Sequence, residues 1–73
     1  MGRELRGIRG KEAIRAFIKV GGQLRSGKGD HINIKMPNGM IVTIPGRKEL
    51  KIGLLKNAIQ KANLTIENFL ELL

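Results

Sequence analysis

The residues able to do chemistry gather in one stretch, Gly27 to Pro45, GKGDHINIKMPNGMIVTIP. It holds His31, the only histidine of the chain. Imidazole is the side chain that changes charge near neutral pH, so it can both take and give a proton. Ahead of it runs Ser26-Gly27-Lys28-Gly29. Read as chemistry, this is a phosphate-accepting turn, because glycines let backbone N–H groups approach an anion and Lys28 adds a point charge. Read as structure alone, it is a flexible hairpin loop. His31 has the same two readings, an acid–base group or an ordinary surface residue of a strand. Lys35, Arg47 and Lys48 supply further positive charge, and Gly29 and Asn33 lie on either side of His31. The candidate set is therefore His31 for proton transfer, with Lys28, Gly29, Asn33, Lys35, Arg47 and Lys48 for phosphate binding.

The composition says what such a set would act on. The chain has 73 residues and a formal net charge of +8, from 14 Lys+Arg against 6 Asp+Glu. A domain this basic favours a polyanionic partner, nucleic acid or an acidic protein surface. It has no Trp and no Tyr, and its two Phe, Phe17 and Phe69, fall in apolar helical patterns. Base-stacking platforms need exposed aromatics. Contact should run mainly through phosphates and riboses, which position a strand without reading its sequence. RNA also carries its own nucleophile, the 2′-OH. A ribonuclease needs a base for that proton, an acid for the leaving 5′-oxygen and cations for the developing charge. His31 is the one obvious proton-transfer group; Asp30 adjoins it but alternates to the other face of a strand. With no cysteine and one histidine, a zinc site of about four N, S or O ligands is not expected. We expect no metal and no cofactor. Gly10-Lys11 is not a P-loop, since no strand and no spaced glycine precede it.

These residues must be positioned by a small fold. A chain of this length has room for one domain and buries only ~60% of its unfolded surface. Residues 1–9 are basic without a clear period and read as a flexible arm, with Arg3, Arg6 and Arg9 spaced every third residue. From Gly10 to Val20 the period is helical. Ala13, Ile14, Phe17 and Ile18 form one stripe, Gly10 is a weak N-cap, and Gly21-Gly22 is the stop. Gln23 to Arg25 is a short strand. His31 to Met36 and Met40 to Ile44 both alternate, and register decides the turn between them. A two-residue Asn38-Gly39 loop would split the apolar set between the two faces. A three-residue Pro37-Asn38-Gly39 loop pairs Met36 with Met40, Ile34 with Val42 and Ile32 with Ile44, so that all six share one buried face. His31, Asn33, Lys35, Ile41 and Thr43 are then exposed together. Pro45 stops the strand and Gly46-Arg47-Lys48 is a basic loop. A helix follows from about Ile52 to Ala62, with Asn63 as its left-handed stop. Thr65 caps a last helix striped by Ile66, Phe69, Leu70 and Leu73. The order is α-β-β-β-α-α, a small two-layer α+β domain with a three-stranded antiparallel sheet and helices on one face, as in double-stranded-RNA-binding domains. Phe69 to Leu73 carries more apolar residues than one stripe of a short helix buries, which suggests an exposed patch for a protein partner. The first nine residues lack the apolar core of a signal peptide. Together with the absence of cysteine this points to the cytoplasm.

The motifs in their order resemble HicA-type toxins, the small mRNA interferases of toxin–antitoxin pairs. The matching residues are Gly10-Lys11-Glu12, Lys28-Gly29-Asp30-His31, Pro37-Asn38-Gly39, Glu49-Leu50-Lys51-Ile52-Gly53 and Ala62-Asn63-Leu64-Thr65-Ile66-Glu67-Asn68-Phe69. The resemblance covers residues 10–73, which it implies are a single HicA-like domain of double-stranded-RNA-binding-like fold. It implies ribosome-independent cleavage of mRNA, an essential histidine that maps to His31, and inhibition by a HicB-like antitoxin. The chain departs from the family pattern at Arg9, Asp30 and Asn63, where Ser, Ser or Gly, and Gly are usual, and in a short Pro45–Glu49 segment without a histidine. The residues and the resemblance together lead to a metal-independent endoribonuclease acting on mRNA with His31 as general acid–base. The alternative is a non-catalytic RNA-binding module of the same fold.

Overall fold

The computed structural model describes residues 4–73. Its elements are α1 (Gly10–Lys19), β1 (Gln23–Arg25), β2 (His31–Lys35), β3 (Ile41–Pro45), α2 (Ile52–Lys61) and α3 (Ile66–Glu71). The sheet is antiparallel with the order β1-β2-β3. This is the α-β-β-β-α-α arrangement that the patterning predicts.

The hairpin has the register that burial demands. Ile32 stands opposite Ile44 and Ile34 opposite Val42. The Met36 N–H donates to the Met40 carbonyl at 2.8 Å, and Gly39 N–H to the Met36 carbonyl at 2.9 Å. Gly39 has φ 86°, the left-handed position of a G1 bulge. Ile34, Met36, Val42 and Ile44 are buried as predicted. Two members of the set differ. Ile32 is half-buried, and Met40 is 46% exposed, because it sits at the hairpin tip where the helical layer ends.

The helices end as their sequences dictate. Gly22 and Gly21 N–H groups donate to the carbonyls of Phe17 and Ile18, both at 3.0 Å, closing α1 in a Schellman motif. Asn63 takes φ 61° and repeats the motif after α2, with Leu64 and Asn63 donating to Ile59 and Gln60. The Thr65 hydroxyl accepts from Asn68 N–H at 3.0 Å and caps α3. Gly10 is the first helical residue rather than the cap; Arg9 occupies that position.

Two expectations about the ends of the chain are corrected. Residues 4–9 are not a loose arm. Leu5 and Ile8 are buried in the core, Arg9 bridges Glu49, and Leu50 N–H donates to the Ile8 carbonyl at 2.8 Å. Two apolar side chains in a polar segment suffice once Leu50 arrives to close a third wall. Arg3 lies outside the described residues. At the other end the apolar excess is absorbed. Phe69 is fully buried with its ring 5.3 Å from that of Phe17, and Leu70, Leu72 and Leu73 pack half-buried against the core. Lys19 Nζ donates to the Leu72 carbonyl at 2.7 Å and ties α1 to the C-terminus. Among the described residues no helix is long and apolar enough to cross a membrane.

Candidate functional site

The register places Gln23, Lys35 and Ile41 in one row across the open face of the sheet, and Arg25, Asn33 and Thr43 in the next. His31 lies at the end of that face, opposite Pro45. It is exposed, and its imidazole hydrogen-bonds to no other described residue. Both ring nitrogens are therefore open to a ligand.

The turn before His31 is built around its backbone. His31 N–H donates to the Lys28 carbonyl at 2.9 Å. A Cβ on Gly27 would lie 1.9 Å from the His31 carbonyl oxygen, so only glycine allows the chain to pass there. Gly29 has φ 57° and open space around it. Lys28 is exposed beside this turn. The sequence motif thus becomes a tight, fixed approach to His31 with a lysine on its rim.

Asp30 takes no part on the open face. Its carbonyl accepts from Gly46 N–H at 2.8 Å and its Oδ1 from Arg47 N–H at 3.0 Å. Arg47 Nε stands 4.0 Å from the same Oδ1, with the guanidinium almost fully exposed. Asp30 is the strap that holds the Gly46–Arg47 loop beside the His31 turn. The carboxylate faces this loop, and among the described residues its buried Oδ2 has no hydrogen-bond partner.

The other candidates divide. Arg47 and Lys48 are exposed in the loop that follows Pro45, hence at the His31 end. Lys35 is exposed on the same face as His31 but four residues away, about 13 Å along the strand. Asn33 is already engaged. Its Nδ2 donates to the Ser26 carbonyl at 2.9 Å and its Oδ1 accepts from the Thr43 hydroxyl at 2.7 Å. It braces the β1–β2 turn against β3. The structure adds three cations outside the candidate set, Arg25 on the open face and Arg9 and Lys11 beside Arg47. The signal for the last two is Gly10 between them. A glycine in the first turn of a helix, where it is not needed for the backbone angle, marks a close approach. Its Cβ position lies 1.9 Å from the Pro45 carbonyl oxygen. Among the described residues, no group of three or more His, Cys, Asp or Glu side chains gathers in one place.

The site is one imidazole at the end of a sheet, a glycine-bounded turn and a rim of lysine and arginine. That constellation suits a phosphate-bearing polymer. The family model described as the HicA toxin of bacterial toxin–antitoxin matches residues 10–64, a span that runs from the Gly10-Lys11-Glu12 turn through His31 and the hairpin to the stop of α2. No curated protein matches the chain. With most of its length inside that match, the chain belongs to the HicA toxin family, the toxin half of a toxin–antitoxin pair.

Proposed function

We propose that this toxin is an endoribonuclease that cuts mRNA without a metal ion, with His31 as the group that moves the proton. The observation that carries the reading is the free imidazole of His31, at the end of the open face where the Lys28 turn and the Arg47 loop converge. A phosphodiester laid across this end has lysine and arginine near its oxygens. His31 takes the proton from the 2′-OH as the 2′-oxygen bonds to phosphorus. The bond to the 5′-oxygen breaks, and that oxygen leaves with a proton from water or from the imidazolium. The product end is a 2′,3′-cyclic phosphate. Charge builds on the non-bridging oxygens in the transition state, and Lys28 stabilises it there.

A HicB-like antitoxin holds this activity in check by covering the same basic end with acidic residues, since charge complementarity both speeds and orients such docking.

The test is cleavage of a defined RNA by wild type and by His31→Ala. The variant should fold and melt as wild type and should cut at least about 10²-fold more slowly, the usual scale for a lost general acid–base. Chelators should leave the rate unchanged, and the products should carry the cyclic phosphate. Unchanged cleavage by His31→Ala, or restoration of a chelated sample by added metal, would overturn the mechanism. The non-catalytic reading has one observation in its favour: Asp30, the nearest second acid–base group, is bound to the Arg47 amide. Under that reading the same RNA binds equally to both proteins and no product forms.

A further inference from the structure

Three cationic side chains meet at a groove beside the loop that follows Pro45. Arg9, Lys11 and Arg47 line it together with Gly46, and it continues past Gly29 and Asp30 toward the β1–β2 turn. Its geometry is fixed by backbone contacts. Gly10 N–H donates to the Lys48 carbonyl at 2.9 Å, and the bare Cα of Gly10 is pressed against Pro45 and Gly46. Arg9 Nη2 donates to the Arg47 carbonyl at 3.0 Å. Arg47 is held through its own N–H by Asp30. Two carboxylates also stand at the groove, Asp30 on Arg47 N–H with Arg47 Nε 4.0 Å from its Oδ1, and Glu12 on Arg9 N–H at 3.2 Å. The amino-terminal end of α1, with its own partial positive charge, opens at the same place. Three cations against these two carboxylates, together with the helix end, leave the groove net positive, which favours an anion.

We infer that this groove is a second phosphate subsite, which takes the backbone phosphate next to the one at His31 and thereby sets the direction in which RNA crosses the site. Arg47 lies two residues past Pro45, the partner of His31, a reach of at most about 7 Å along a chain that bends at residues 46–48. Such a reach is the scale of one nucleotide step. Arg9 is held in place by its bond to the Arg47 carbonyl and keeps further N–H donors for phosphate oxygens. Lys11 makes no hydrogen bond to another described residue and supplies a mobile charge. Recognition here is of the phosphate alone, so the subsite orients the strand without selecting bases. The inference rests on the reading of the His31 end as an RNA site.

The experiment uses the full chain with His31→Ala, which keeps the RNA intact. The probe is an eight-nucleotide single-stranded RNA in which one phosphodiester at a time is replaced by an uncharged methylphosphonate. Linkages are numbered from the position that wild type cuts. Neutralising the linkage next to the cut should weaken binding about tenfold, the scale of one charge-assisted contact. In the same background with Lys11→Gln, and separately with Arg47→Gln, the loss at that linkage should shrink to under about twofold, while losses elsewhere stay as they were. Both substitutions lie at exposed positions, and melting curves check the fold. An undiminished loss at that linkage in both variants overturns the subsite and leaves the catalytic reading standing. If wild type cuts no RNA, a single linkage whose loss shrinks in both variants keeps the subsite and overturns the catalytic reading. Failure of the parent to bind any of the RNAs overturns both.

Discussion

The two ends of the sheet are built from similar materials and left in opposite states. At the hairpin end, the tip is closed by Asn38. Its Oδ1 accepts from Met40 N–H at 3.0 Å, and its Nδ2 donates to the Lys61 carbonyl at 2.9 Å, which anchors the turn to the end of α2. At the His31 end, the acidic and amide side chains are consumed in the same manner. Asp30 holds Arg47 N–H, Glu12 holds Arg9 N–H, and Asn33 spans Ser26 and Thr43. Of the basic side chains there, Arg9 donates to the Arg47 carbonyl and Arg47 stands 4.0 Å from Asp30, and the others are not consumed. Lys28, Lys48 and His31 make no side-chain hydrogen bond to another described residue. The difference teaches where function resides in a small basic domain. Folding uses the short polar side chains, whose oxygens and amides reach neighbouring backbone. It leaves over the long cations at the end where glycines let three segments approach closely.

The sharpest way to break that comparison is at Gly27. Substitution Gly27→Ala places a methyl group against the His31 carbonyl, where backbone must give way. Overpacking of this kind costs about 1–3 kcal/mol. It should also move His31, and a misplacement of about 1 Å can cost 10²-fold in rate. Denaturant unfolding and RNA cleavage should both fall. A variant that lost stability but cleaved at the wild-type rate would show that the turn does not position His31.

A smaller effect is expected at the opposite end. Asn38→Ala removes two hydrogen bonds to exposed backbone groups and should cost about 1 kcal/mol. Cleavage by the folded variant should match wild type. A cleavage defect without a stability defect would mean that RNA reaches the hairpin tip and that the two ends are not functionally distinct.

Local pattern was enough for much of this architecture. Alternation over His31–Met36 and Met40–Ile44, with one three-residue loop, yields the register, and Gly21, Asn63 and Thr65 announce the helix ends. What the pattern does not carry is contact between distant segments. Leu5 and Ile8 look like isolated apolar residues until Leu50 packs on them. Asn33 alternates onto the open face like Lys35, and nothing in its spacing reveals that Ser26 and Thr43 occupy its amide. Arg9 and Lys11 join the candidate site only because Gly10 meets the end of β3. His31 itself is legible because it is the only residue of its type. Its cationic neighbours are not, because fourteen basic residues offer many combinations and only the fold chooses among them.

The least effect, and the one that measures how far the site extends, is expected at Lys35. It shares the open face with His31 but lies about 13 Å away, toward the end where Gly21, Gln23 and Pro37 surround it. A phosphate at His31 and a phosphate at Lys35 cannot belong to the same nucleotide. A strand that follows the open face from the basic end reaches Lys35 only after further nucleotides. Lys35→Ala should therefore leave binding of a trinucleotide unchanged. With an eight-nucleotide RNA it should reduce the slope of log affinity against log salt by about 0.7, the single-strand value for one phosphate contact. Lys28→Ala should lower the slope by a similar amount with both RNAs, since its turn abuts His31. If Lys35→Ala weakened the trinucleotide as much as Lys28→Ala does, the two lysines would act on one phosphate, and the separation between the ends of the sheet would not describe how RNA is held. If it changed neither RNA, the strand would leave the open face before Lys35, and the groove at Arg9, Lys11 and Arg47 would be its main course.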